Sequence, residues 1–149
     1  MYRADNRKLF EISKTHTIDS LGYFYGSITK LLGYKPHRHE GKILGLAAFG
    51  NPNKAYPYIS KMISYNKSNK CFKGNFENGL YIAKYKNPNL IFLKKKFSPK
   101  DIAAAAQKRI EEVIIEFIED NIPEGTKLAL AGGVFANVKI NQKISELSK

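Results

Sequence analysis

The chain has 149 residues and a formal net charge of +12, from 25 Lys+Arg against 13 Asp+Glu. With 43% hydrophobic and 26% charged residues it suits one ordinary domain with a buried core, which excludes an intrinsically disordered chain. No apolar run approaches the roughly 18–20 residues that span a bilayer. Residues 1–15 lack the apolar stretch of a signal peptide, and Cys71 stands alone, so neither a disulfide framework nor a cysteine zinc site is available. The expected setting is the cytoplasm.

In chain order, residues 1–19 are polar and without clean period, which suggests a connection or edge element. At Ser20 a helix signal begins: Leu21, Phe24, Tyr25, Ile28, Leu31 and Leu32 recur at helical spacing, and Gly33 marks the stop. The segment from Lys42 to Gly50 predicts a short, mostly buried helix, and residues 53–65 another, interrupted by Pro57. Residues 66–97 are rich in Asn, Lys and aromatics and form an insert-like segment. Within it Leu80–Tyr85 and Leu90–Leu93 predict a β-hairpin around an Asn-Pro turn. Ser98-Pro99-Lys100-Asp101 carries cap, first-turn proline and capping-box acid for a long helix. Its stripe runs through Ile102, Ala105, Ala106, Arg109, Ile110, Val113, Ile114, Phe117 and Ile118. Lys127–Ala131 predicts a short strand, Gly132-Gly133 a tight turn, and the residues from about Phe135 a final helix. The fold class read from this order is α/β.

Charge is distributed unevenly. Residues 54–100 hold eleven lysines against the single acid Glu77, a net of +10, while residues 1–53 carry +4 and residues 101–149 carry −2. A basic patch with interleaved aromatics (Tyr65, Phe72, Phe76, Tyr81, Tyr85) is the footprint of a non-specific nucleic-acid-binding module. Lysine outnumbers arginine twenty-one to four, however, and arginine is the residue of specific base and phosphate grips. That reading is therefore kept as the alternative to the one below.

Two segments carry candidate site chemistry. Gly132-Gly133 stand where a strand turns into a helix, a place that admits a ligand close to backbone N–H groups, with Asn137 one helical turn on. The plain alternative is tight strand–helix packing. Glu40 and Lys42 open a small-residue helix, where a carboxylate can accept from ribose hydroxyls and a lysine can neutralise phosphate. The plain alternative is a solvated helix start. His37, His39 and Glu40 are too few and too local for a metal centre, and read as loop residues. The acids Glu111, Glu112, Glu116, Glu119 and Asp120 read as a solvated helix face.

Three blocks in this order, SLGYFYGSITKLLGYKP, EGKILGLAAFGNP and AAAAQKRIEEVIIEFI with LALAGGVFANVKINQKI, resemble the carbamoyltransferases of the nodulation and antibiotic-tailoring type. They match Ser-Leu-Gly-x-x-Tyr, Glu-x-Lys-x-Met-Gly-Leu-Ala-x-Tyr-Gly and Leu-Ala-Gly-Gly-Val-x-x-Asn, with Ile43, Ala48 and Phe49 as apolar departures. The resemblance implies a partial actin-like ATPase (ribonuclease H-like) domain across residues 1–149, related to the threonylcarbamoyl-transfer enzymes of tRNA modification. It implies ATP as cofactor, and carbamoyl phosphate and a hydroxyl-bearing sugar or natural product as partners, with carbamoyl-adenylate between them. It places Glu40, Lys42, Gly132, Gly133, Val134 and Asn137 at the nucleotide and leaves the catalytic residues unassigned. The family's metal-binding His-x-x-x-His block, its metal-binding Asp and its C-terminal domain have no counterpart here. The chain is accordingly expected to be a central fragment, weakly active or inactive without the missing flanking parts.

Overall fold

A computed structural model describes residues 1–75 and 88–147. The stripe beginning at Leu21 forms α1 (Leu21–Leu31), opened by Ser20, whose Oγ accepts the Tyr23 N–H at 3.2 Å, and closed by Gly33 at φ +87°. Ahead of it, the polar N-terminus is an antiparallel ribbon of β1 (Tyr2–Asp5) and β2 (Lys8–Glu11), exposed along both strands. Asn6 and Arg7, at φ 47° and 64°, make the two-residue left-handed turn whose twist suits a hairpin.

Two short helices follow, α2 (Glu40–Ala47) and α3 (Pro52–Ile59). Helix α2 is less buried than its composition suggests. Ile43 is sealed in the core, but Gly45 faces solvent and Phe49, just past the helix, is 77% exposed. The helix predicted over 53–65 ends at Ile59, because Ile63 and Tyr65 are buried while Ser64 and Asn66 are not, a period of two rather than 3.6. They form β3 (Ile63–Asn66), paired antiparallel with β4 (Cys71–Gly74).

The hairpin predicted further along is corrected in part. Leu80–Tyr85 lies outside the described residues, and Leu90–Leu93 is helical, inside α4 (Pro88–Lys96). A four-residue apolar run cannot distinguish strand from helix. Here Leu93 is fully buried while Ile91 and Phe92 are exposed, so a single helical face goes inward.

The long helix is α5 (Pro99–Asn121), followed by a short 3-10 turn at Gly133–Ala136 and α6 (Val138–Leu147). The strand expected at Lys127–Ala131 does not form among the described residues: the segment has no regular secondary structure and no ladder, with Leu130 39% exposed. A strand exists only through a ladder, and the two sheets here are the closed pairs β1–β2 and β3–β4. The architecture is α/β in the sense of helices with small antiparallel sheets.

Helices α1, α2, α3, α4 and α6 and strand β3 all pack on α5. Its burial is wider than the predicted stripe, since Ala103, Ala104 and Gln107 are buried alongside Ile102, Ala105, Ala106 and Ile110. Four consecutive alanines carry no side chain beyond Cβ, so neighbours can approach from several directions at once. At its start Ser98 caps as predicted, accepting the Asp101 N–H at 3.3 Å. Asp101 does more than complete a local capping box: its carboxylate accepts the Asn51 N–H at 2.8 Å and pairs with Lys54 at 3.2 Å. Gly50 completes the joint, because a Cβ there would overlap the Lys100 carbonyl.

Replacement Gly50→Ala must therefore push α5 from the α2–α3 corner, and a loss of about 1–3 kcal/mol in urea unfolding is expected. The Asn51 N–H, with Ser98 and Lys54 adding, holds the Asp101 carboxyl down to about 2 from 3.8. The folded value lies below the unfolded one, so the ionised carboxylate favours folding above about pH 4, and this contribution is lost as pH falls toward about 2. Unfolding measured across that window should show the acid-side loss in the wild type and a flatter profile in Asp101→Asn.

Candidate functional site

The two candidate segments are carried by different elements. Glu40 is the first residue of α2, half-buried, and its Oε1 accepts the His37 N–H at 2.6 Å. His37 sits at φ +62°, a left-handed conformation that closes the loop back onto the helix start. Lys42 is exposed, its Nζ 5.8 Å from the centre of the Tyr34 ring. Spaced by two on a helix, Glu40 and Lys42 do not share a face. His39 accepts the Lys35 N–H on Nδ1 at 3.2 Å, so the loop histidines are engaged in shaping the turn. No group of three His, Cys, Asp or Glu converges among the described residues, so the donor set of a divalent metal is not found there.

At the second segment Gly132 takes φ +96°, a conformation that favours glycine. Gly133 does not have a positive φ, and a Cβ at either position would meet nothing within 4 Å. Tight packing against a neighbouring strand is thus not what keeps these residues small. Gly133–Ala136 form one 3-10 turn, and Val134 packs toward the start of α1, 3.7 Å from where a Cβ on Gly22 would lie.

Asn137 turns inward. Its Oδ1 accepts the Lys139 and Ile140 N–H groups at 3.1 and 3.3 Å, which caps α6. Its Nδ2 donates to Gln107 Oε1 at 2.9 Å, and Gln107 Nε2 donates back to Asn137 Oδ1 at 3.3 Å and to Glu111 at 2.8 Å. The Tyr25 hydroxyl adds a bond to Gln107 Oε1 at 2.8 Å. Burial, then the Glu111 and Glu40 charges, push the Tyr25 phenol far above its ordinary value, so it remains a donor. Tyr25 therefore sits within reach of charges from both α2 and α5, and beside the turn that precedes α6. This polar group joins α1 and α5 to the Gly132–Asn137 turn, whereas no hydrogen bond joins Glu40 or Lys42 to it.

Tyr25 and Gln107 were not among the residues the sequence singled out. Each had a signal: a hydroxyl inside an apolar stripe, and an amide directly after four alanines, both of which need a partner once buried. The supposed solvated acids are also partly engaged. Glu111 meets Lys143 at 3.7 Å, Glu112 accepts from Tyr56 and pairs with Arg109, and Asp120 accepts from Tyr65 at 2.5 Å.

The aromatic stacking platform fares poorly. Tyr65 is 9% exposed, and with Phe72 it packs on Phe117 at ring distances of 5.5 and 5.1 Å. Phe76, Tyr81 and Tyr85 lie outside the described residues. A depression of about 250 Å³ lies at the opposite end of α5, lined by Ile118, Ile122, Leu128 and Leu147 among others. At 1.5 Å per residue it begins roughly 16 Å along the helix from Gln107.

Residues 1–149 match the sequence profile of the family described as "Carbamoyltransferase N-terminus". Two uncharacterized proteins of Methanocaldococcus jannaschii are similar along most of the chain. One is 32% identical over 148 residues, 96% of this chain and 28% of its own length. The other is 36% identical over 134 residues, 85% of this chain and 21% of its own length. The chain thus spans about a quarter of the length of these relatives. No helix among the described residues is long and apolar enough to cross a membrane.

Truncation Asn137→Ala removes the α6 cap and leaves half of the Gln107 amide unpaired. A loss of about 2–3 kcal/mol in chemical denaturation is expected, more than a surface cap alone contributes.

Proposed function

The chain belongs to the carbamoyltransferase N-terminal family, and from that premise we propose that it forms part of the nucleotide site of an ATP-dependent O-carbamoyltransferase. In this reading water releases phosphate from carbamoyl phosphate, the carbamate formed displaces pyrophosphate from ATP to give a carbamoyl-adenylate, and a hydroxyl of a sugar or natural product takes the carbamoyl group with loss of AMP. The observation that carries the nucleotide assignment is the open Gly132-Gly133 turn: Gly133 has neither a left-handed φ nor a neighbour that would exclude a side chain. A bare backbone beside a buried polar support is the form of site that accepts a phosphate or ribose against N–H groups.

ATP supplies the activation; the chain's own residues bind and orient. The Gly132-Gly133 backbone receives the nucleotide, and Val134 and Asn137 of the same turn hold that backbone from beneath. Glu40, half-buried at the start of α2, offers a carboxylate to ribose hydroxyls, and exposed Lys42 neutralises phosphate once it swings from Tyr34. The relatives' greater length is where the remaining parts of the reaction are placed. The actin-like ATPase arrangement belongs to the same proposal, with Lys127–Ala131 as a strand awaiting a ladder, and a cytoplasmic setting goes with it. A divalent metal used by the whole enzyme would need ligands beyond the described residues, among which no three such donors converge.

Isothermal titration of ATP into the chain, alone and joined to the rest of a full-length relative, tests this. Binding is expected in at least the joined form, and Gly133→Val or Lys42→Ala should abolish it. Absence of binding in both forms would overturn the assignment.

A further inference from the structure

We propose that Gln107 is a positioning residue for the Gly132–Asn137 turn, holding it at one fixed height over α1 and α5. The inference rests on the nucleotide reading above for its consequence, but not for its geometry. Gln107 is 6% exposed and all of its hydrogen-bonding capacity is used. Its Oε1 takes the Tyr25 hydroxyl at 2.8 Å and the Asn137 amide at 2.9 Å, and its Nε2 gives to Glu111 at 2.8 Å and Asn137 at 3.3 Å. An amide can saturate both ends only in one orientation, so the pairing with Asn137 is directional in a way apolar packing is not. Asn137 in turn fixes the first N–H groups of α6, and Asn141 of α6 donates to the Phe135 carbonyl at 2.8 Å within the turn. A displacement of Gln107 thus reaches the glycine turn through Asn137, whose own N–H donates to the Val134 carbonyl at 3.1 Å.

The Glu111 carboxylate defines which end of the amide points where. It needs a donor, so Nε2 faces it, which leaves Oε1 for the two donors Tyr25 and Asn137. The titratable groups around Gln107 are Tyr25 from α1, Glu40 from α2, Glu111 from α5 itself and Lys143 from α6, which meets Glu111. Replacement Gln107→Glu keeps the shape and the acceptor but sets a second carboxylate beside Glu111. When that carboxylate is protonated it regains one donor, and when ionised it repels.

Hydrogen–deuterium exchange on the whole chain reads the turn directly, without ligand. In Gln107→Leu, amides of residues 133–140 should exchange about tenfold faster or more, while β3 and β4 keep wild-type rates. In Gln107→Glu the increase should be large near pH 8 and mostly reversed near pH 5.5, after correction for intrinsic exchange, and confined to residues 133–140; burial of charge without a positioning role would raise exchange in the adjoining turns of α1 and α5 as well. Tyr25→Phe, which removes one bond and no volume, should show a smaller effect in the same residues and covers the case where Gln107→Leu does not fold. Unchanged exchange at 133–140 in the folded variants overturns the proposal, as does an increase in Gln107→Glu that ignores pH. Titration with ATP supplies the second arm. If the wild type binds, Gln107→Glu near pH 8 should weaken Kd by about tenfold, and an unchanged Kd overturns the role at the site. If the wild type binds neither alone nor joined to the rest of a full-length relative, the nucleotide reading fails, and exchange alone decides whether Gln107 positions the turn.

Discussion

The arrangement of this chain depends on burying α5 from several sides. A surface helix needs one apolar stripe, but Ile102 through Gln107 are buried as a continuous run, which only small side chains permit. Alanine loses little conformational entropy on burial and fills little space, and α1, α2, α3 and α6 all pack against the helix. The larger residues that follow, Ile110, Val113, Ile114 and Ile118, continue the same buried core.

Burying a helix so widely puts polar groups where water cannot serve them, and the structure meets several with specific partners, although Asn121 Oδ1 at the end of α5 is buried without one. Asp101 takes the N–H that opens α3, and Arg109 donates to the Ile63 carbonyl at 2.9 Å, anchoring β3. Tyrosine hydroxyls meet the α5 acids at Glu112 and Asp120. Burial and these acids raise the Tyr56 and Tyr65 phenols, so both stay donors. Gln107 is the most connected of these contacts, and it is the one beside the open glycine turn. The same requirement, satisfying a buried amide, thus holds the core together and steadies the surface proposed to meet the nucleotide.

Charge contributes less to this picture than its total suggests. The lysine excess lies between residues 54 and 100, away from both candidate segments in sequence. Where that region is described, Lys54 pairs with Asp101 and Lys73 with Asp19, and Lys96 lies over rings. Lys96 Nζ is 5.0 to 5.6 Å from the ring centres of Tyr58, Phe92 and Phe97, and donates to the Tyr58 hydroxyl at 2.9 Å. Two of the five aromatics read as a stacking platform belong to the core. The family match is to the carbamoyltransferase N-terminus, and the proposed site lies at the open turn rather than in this lysine-rich region.

Local chemistry was legible from the residues alone. Ser20 and Ser98 cap, Gly33 and Gly132 take left-handed turns, and the periodicity of α1 and α5 set their length and inner face, because each of these depends on neighbours within about one helical turn. Short apolar runs were not legible: Leu90–Leu93 became helix and Lys127–Ala131 stayed unpaired, since a strand is decided by a partner distant in sequence. The same holds for the site. The sequence marked Glu40 and Gly132–Asn137 as separate motifs. Only the tertiary structure showed that Tyr25, 82 residues from Gln107, and Asn137, 30 residues away, converge on that one amide. Hydrogen bonds between buried side chains have no period and no fixed spacing, so packing alone determines which of the polar residues meet.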